Sequence, residues 1–229
     1  MNLELVEKIA NAVLYEGYLL YPYRHSSVKN QRRFNFGVLA PQAYSLARGG
    51  AESWSMQTEC LVHGGRQAAL DVKVRFLHLL AREELLEAGG RVFHNWQEGV
   101  EREIGASGLD LSEFAAQPQR LTFRFPAKQE REPLCDANDQ VAGEVVRTQH
   151  AIAGAVEIGA ERMGGRLSKV TVRLLNLTPC ENAAQQSRDE ALLWSLVSAH
   201  TILGVRGGEF AIRSSTAPTA ARVSRSYSR

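Results

Sequence analysis

The sequence predicts a mainly β, α+β fold: an antiparallel β sandwich with an N-terminal helix and a short C-terminal helix. Three observations carry this expectation. Apolar residues recur with period two over much of the chain. The residues between them are charged, which favours an antiparallel sheet with one solvated face over a buried parallel one. Helical spacing occurs only near the two ends.

At the N-terminus, Leu3, Val6, Ile9, Ala10 and Val13 stand at helical spacing, which predicts an amphipathic helix packed on the rest of the protein. Gly17 permits a break, and Pro22 bars helix through Tyr23. A strand is expected around Asn35 to Leu39. MQTECLV (56–62) reads as a strand ended by the turn signal His63-Gly64-Gly65. Leu70, Val72, Val74 and Phe76 alternate with Asp71, Lys73 and Arg75, as Leu121, Phe123 and Phe125 do with Thr122 and Arg124. Residues 128–143 (KQEREPLCDANDQVAG) are polar, hold Pro133, and read as a surface loop. Ile152, Val156 and Ile158 share one face, and Val170, Val172 and Leu174 another. Gly164-Gly165 between them predicts a hairpin. Ser187 followed by Glu190 forms a capping box that opens a short helix. LVSAHTILGVRGGEF fits either the end of that helix or a further strand.

These elements are expected to form one β-rich domain over residues 1–210. From Ala211 the chain is rich in Ser, Ala, Thr and Arg and has no acid. Residues 211–229 are therefore expected to be a disordered basic tail, either native or the product of a frameshift or truncation.

The chain has 229 residues with a formal net charge of +2, so any affinity for anions must come from local clustering. Cys60, Cys135 and Cys180 are far apart and odd in number, which points to reduced thiols. The N-terminus lacks a secretory pattern and no apolar run reaches membrane-spanning length. The expected location is the cytoplasm.

One segment concentrates recognition chemistry. YEGYLLYPYRHSSVKNQRRFNFG (15–37) gathers tyrosines, phenylalanines and cations around a single acid, Glu16. Tyr21, Tyr23 and Phe34 offer flat rings; Arg24, Lys29, Arg32 and Arg33 offer donors for carboxylates or phosphates, and His25 adds a titratable group. Together they are the candidate partner-binding residues. Stacking with cations is also how single-stranded nucleic acid is held, so a nucleic-acid-binding module using residues 21–36 is the alternative. The histidines are scattered singly, with no spacing for a metal. There is no GxSxG, P-loop or dinucleotide fingerprint. No cofactor is expected and no catalytic residue is assigned; an enzyme assembled from dispersed groups, around His25 and Glu59, is the third reading.

VLYEGYLLYPYRHSSVKNQRRFNFGVLAP (13–41), SWSMQTECLV (53–62) and ALLWSLVSAHTILGVRGGEF (191–210) resemble an uncharacterised bacterial protein family associated with gene clusters of uptake-type nickel-iron hydrogenases. The resemblance spans about residues 5–210. It implies an accessory protein in hydrogenase assembly or maturation. The implied partner is a protein, either a hydrogenase subunit or a maturation factor. Family members continue beyond the GGEF segment, so the Arg/Ser tail departs from the pattern.

Overall fold

The structure, a computed structural model, describes residues 3–16, 37–86, 92–114, 117–136 and 138–211. It is mostly β: an antiparallel sheet curled into a half-barrel, with few helices. The predicted N-terminal helix is present as α1 (Leu3–Glu16). Its buried stripe differs from the expected one. Ala10 and Leu14 are buried, whereas Ile9 faces solvent. The contact with the sheet is thus a narrow line one turn apart rather than a broad face.

The spine of the sheet is β1 (Ser55–Leu86), a strand of 32 residues. It changes partners along its length. Residues 55–63 pair with β7 (Leu167–Asn176), residues 69–85 with β2 (Val92–Asp110), residues 62–77 with β8 (Val197–Phe210), and residues 81–86 with β5 (Val141–Gln149). The expected turn at His63-Gly64-Gly65 is a bend inside this strand. The pairing with β8 slips between Gly64 and Ala69, and a Cβ on Gly64 would lie 2.5 Å from the Ala68 Cβ. Glycine allows the strand to fold over itself without ending.

A second long element closes the curl. β3 (Gln119–Phe125) pairs with β6 (Ile152–Gly164), and β4 (Lys128–Cys135) pairs with β5. The two pairings share one register as far as Leu134, where β4 slips by one residue against β5, so the four strands form a long hairpin that bends at Pro126-Ala127 and His150-Ala151. Its β6 half reaches β7, while its β5 half reaches the far end of β1. All eight strands therefore belong to one sheet, ordered β3-β6-β7-β1-β5-β4 with β2 and β8 on β1. The expected mainly β, antiparallel architecture is present as a single curled sheet; the finer expectation of a sandwich is not what the strand pairing displays.

The alternating runs place the main core as predicted. Leu70, Val72, Val74, Phe76, Ile152, Val156, Ile158, Val170, Val172 and Leu174 are all buried and belong to one cluster, against which Leu121, Phe123 and Phe125 pack. The Gly164-Gly165 turn joins β6 to β7, as expected. Residues 128–143 are not a loop throughout: β4 occupies 128–135, and β5 begins at Val141. β4 is an edge strand, exposed along almost all its length; it has no apolar stripe to announce it, and Pro133 is tolerated at an edge. The ambiguous 197–210 stretch is strand β8.

Three short helices complete the described chain: α2 (Gln42–Ala47), α3 (Leu111–Phe114) and α4 (Arg188–Leu192). Ser187 caps α4, with both halves of the predicted capping box formed. Of the strand expected around 35–39, Leu39 forms a lone bridge with Leu196. Residues 212–229 lie outside the described residues.

Candidate functional site

Tyr21, Tyr23, Arg24, His25, Lys29, Arg32, Arg33 and Phe34 all lie outside the described residues. Their flanks are described, and both are held on one face of the sheet. Leu14, at the end of α1, is buried in a cluster with Leu77, Leu79, Leu192 and Val197; Tyr15 and Val38 pack on the same cluster. Residues immediately before and after the aromatic-basic segment therefore share one apolar anchor. Polar contacts reinforce it. The Tyr15 hydroxyl donates to Glu101 Oε1, and Glu101 Oε2 accepts from Arg75 at 2.9 Å. Arg75 also donates to Asn11 Oδ1 at 2.7 Å. The Tyr15 hydrogen bond, followed by Arg75, holds the Glu101 carboxyl below its ordinary pKa despite partial desolvation.

On the re-entry side, the Ala199 amide donates to the Gly37 carbonyl at 2.9 Å. Gly37 has φ +62°, and a Cβ there would meet the Ala199 carbonyl oxygen at 2.9 Å. Only glycine combines that conformation with so close an approach. Leu39 and Leu196 exchange backbone hydrogen bonds of 2.9 and 3.0 Å. Asn176, fully buried, donates through Nδ2 to the carbonyls of Leu39 at 2.8 Å and Trp194 at 2.9 Å, and its Oδ1 accepts from the Thr178 amide at 3.0 Å.

A second arrangement lies on the opposite, concave face, where the long hairpin bends away from β1 and β2. There a cleft of about 410 Å³ opens between Leu80, Val100, Phe125 and Pro126 on its apolar side and Arg102, Lys128, Glu130, Arg147 and Gln149 on its polar side. The Arg102 guanidinium lies 4.6 Å from the centre of the Phe125 ring, within cation–π range. Its Nη2 donates to Gln149 Oε1 at 2.9 Å, and Gln149 Nε2 in turn donates to the Pro126 carbonyl at 3.0 Å.

The neighbouring cations have carboxylate partners. Arg147 contacts Glu98 at 3.1 Å and Glu132 at 2.7 Å. Arg82 contacts Glu84 at 2.9 Å and Glu98 at 3.2 Å. Lys128 pairs with Glu130. Among the described residues, no carboxylate pairs with Arg102.

His78 lies beneath this cleft. It is 0% exposed, its ring centre is 6.5 Å from that of Phe125, and neither ring nitrogen has a hydrogen bond of normal geometry. Burial first, and then the Arg102 charge, pushes its pKa down to about 4. The unfolded chain therefore binds a proton between about pH 6.5 and 4 that the folded chain refuses. Stability from this group is complete above pH 6.5 and falls as the pH drops through that window. Replacing it, His78→Phe, is expected to flatten the loss on acidification by on the order of 2 kcal/mol. Urea titrations of both chains at pH 7 and pH 4.5 check this; parallel pH dependences would contradict it.

The readings around Cys60 and Glu59 resolve simply. Cys60 packs against the main core, and burial raises its thiol to about 11, which suits a packing role over a nucleophile. Glu59 pairs with Lys169 at 2.8 Å. Among the described residues, no three His, Cys, Asp or Glu side chains gather as a metal site, and no helix is long and apolar enough to cross a membrane.

Sequence reading missed Arg102, Gln149 and His78. A signal existed for Arg102, since it alternates with Val100 and Ile104 on the face opposite Glu101 and Glu103. His78 likewise continues the apolar alternation of Val74 and Phe76; Gln149 carries no such mark. The fold and these two sites define the chain as a mainly β protein with a curled antiparallel sheet. Compared with known protein families and with curated proteins, it matches none.

Proposed function

We propose that this protein is a non-enzymatic accessory protein that binds a partner protein through the 21–36 segment. Tyr21, Tyr23, Arg24, His25, Lys29, Arg32, Arg33 and Phe34 supply the contacts. The partner is a hydrogenase subunit or maturation factor, as the family resemblance implies. One observation supports the reading most: the residues flanking the segment, Leu14 and Tyr15 before it and Val38 after it, pack into one apolar cluster. The described residues on either side of the segment thus meet at one anchored place. Long connections held in this way within a compact fold tend to serve binding. Tyr and Arg are also the residues most often found at the energetic centre of protein interfaces.

The test is affinity purification of the tagged chain from its native host, with bound proteins identified by mass spectrometry. A hydrogenase subunit or maturation factor is expected with the wild-type chain. Tyr23→Ala and Arg24→Ala are each expected to weaken that complex by about tenfold or more while leaving the circular dichroism spectrum unchanged. Loss of folded protein in both variants would assign these residues to packing instead. Recovery of RNA, with steeply salt-dependent binding, would replace the protein partner by nucleic acid.

A further inference from the structure

From the concave cleft we infer a binding site for a monocarboxylate that carries an apolar body. The argument starts from charge. Three cations line the cleft: Arg102, Lys128 and Arg147. Lys128 is neutralised by Glu130. Arg147 is held between Glu98 and Glu132. Arg102 has no carboxylate within ion-pair distance among the described residues, although it is half-buried on Phe125. Burying an unpaired guanidinium is costly, and a charge-bearing ligand relieves that cost.

Arg102 alone of the three lacks a carboxylate within ion-pair distance, and Glu98, Glu130 and Glu132 already balance the three cations in number, so the cleft suits a ligand with a single negative charge. A phosphate dianion would bring a second charge beside Glu130. The geometry also selects the group. Gln149 is fixed by the Pro126 carbonyl and holds Nη2 of Arg102, so the planar fork is set before any ligand arrives. Nη1 makes no hydrogen bond among the described residues. Arginine engages a carboxylate through such a preset fork better than a lysine would. Beyond the guanidinium, Leu80, Val100 and Pro126 continue the wall of the cleft. The ligand's body therefore rests on apolar surface, and a volume of about 410 Å³ is the range in which small-molecule sites occur. The same chemistry is offered by a free acid and by the chain end of a peptide.

Calorimetric titration of the full chain tests the site, with hexanoate as the free acid and acetyl-Leu-Leu as the chain end. Saturable binding of either supports the proposal, and the tighter of the two names the source. Hexanol, amidated acetyl-Leu-Leu and inorganic phosphate are each expected to bind at least about tenfold more weakly. Arg102→Gln is expected to weaken the carboxylate about tenfold or more. Arg102→Lys, which keeps the charge and loses the fork, is expected to fall between the two; it also serves if the glutamine variant does not fold. Equal binding by wild-type and both variants overturns the site, as does absence of saturation by both acids. Phosphate binding as tight as hexanoate overturns the choice of a monoanion.

Discussion

Phe76→Ala is expected to destabilise the fold by about 3–5 kcal/mol. Phe76 lies in the middle of β1 and is 0% exposed. Its ring centre is 5.8 Å from that of Phe123 and 6.2 Å from that of Phe125. Those two residues belong to β3, at the end of the sheet order far from β1. The contact therefore joins the two sides of the curl, where no backbone ladder connects them. Truncation removes the transfer free energy of the ring and leaves a cavity. The wall of that cavity is three strands already fixed by their own hydrogen bonds, so it relaxes little. The loss should sit at the upper end for a buried aromatic. Guanidinium unfolding would show a lower midpoint with an unchanged slope. Leu61→Ala, at a position 40% exposed on the same strand, should cost about 0.5 kcal/mol or less. Similar losses at the two positions would mean that the curl is held by the ladder and not by the ring cluster.

The residues of this cluster were legible in the sequence because each half-buried strand wrote its own alternation. Phe76, Phe123, Ile158 and Val172 all fell on the predicted inner faces. The way the strands connect was not legible, for a physical reason. A strand that bends in mid-course needs glycine at the bend, and glycine is also the commonest mark of a turn. His63-Gly64-Gly65 looked like an end and was a bend, so one strand of 32 residues read as two. Edge strand β4 failed differently. Its neighbours are water and β5, so it had no reason to carry an apolar stripe, and its charges read as loop.

The candidate sites divide along the same line. The aromatic-basic segment was legible because its composition is local. The cleft was not, because Arg102 on β2, Phe125 on β3 and Gln149 on β5 meet only when the long hairpin folds over β1. Each is unremarkable alone. The cations beside Arg102 have carboxylates within ion-pair distance and Arg102 has none among the described residues, and pairing is a property of the folded chain.

The polar anchor at the base of the segment predicts the second large effect. Asn176→Asp, a change of almost no volume, is expected to cost about 3–5 kcal/mol at pH 7. The Asn176 amide gives its two N–H donors to the carbonyls of Leu39 and Trp194, in a site with 0% exposure. A carboxylate offers neither donor. Two buried carbonyls lose their partners, at about 1–3 kcal/mol each, and a negative charge is placed against their oxygens. That environment raises the pKa of the introduced acid in the folded state, so the folded variant holds a proton that the unfolded chain has released. The penalty should therefore grow as pH rises and shrink on acidification, when the protonated acid donates one bond again. His78 acts in the opposite sense, losing stability toward acid, so the difference between variant and wild-type must be read at each pH. Hydrogen exchange should quicken first at the amides of Leu39 and Leu196, whose mutual bonds Asn176 braces. Binding of the proposed partner should weaken too, although no residue of the 21–36 segment has changed, because Gly37, next after it, lies two residues from Leu39. A loss under about 1 kcal/mol, or one independent of pH, would show that other groups satisfy those carbonyls and that the anchor does not depend on Asn176.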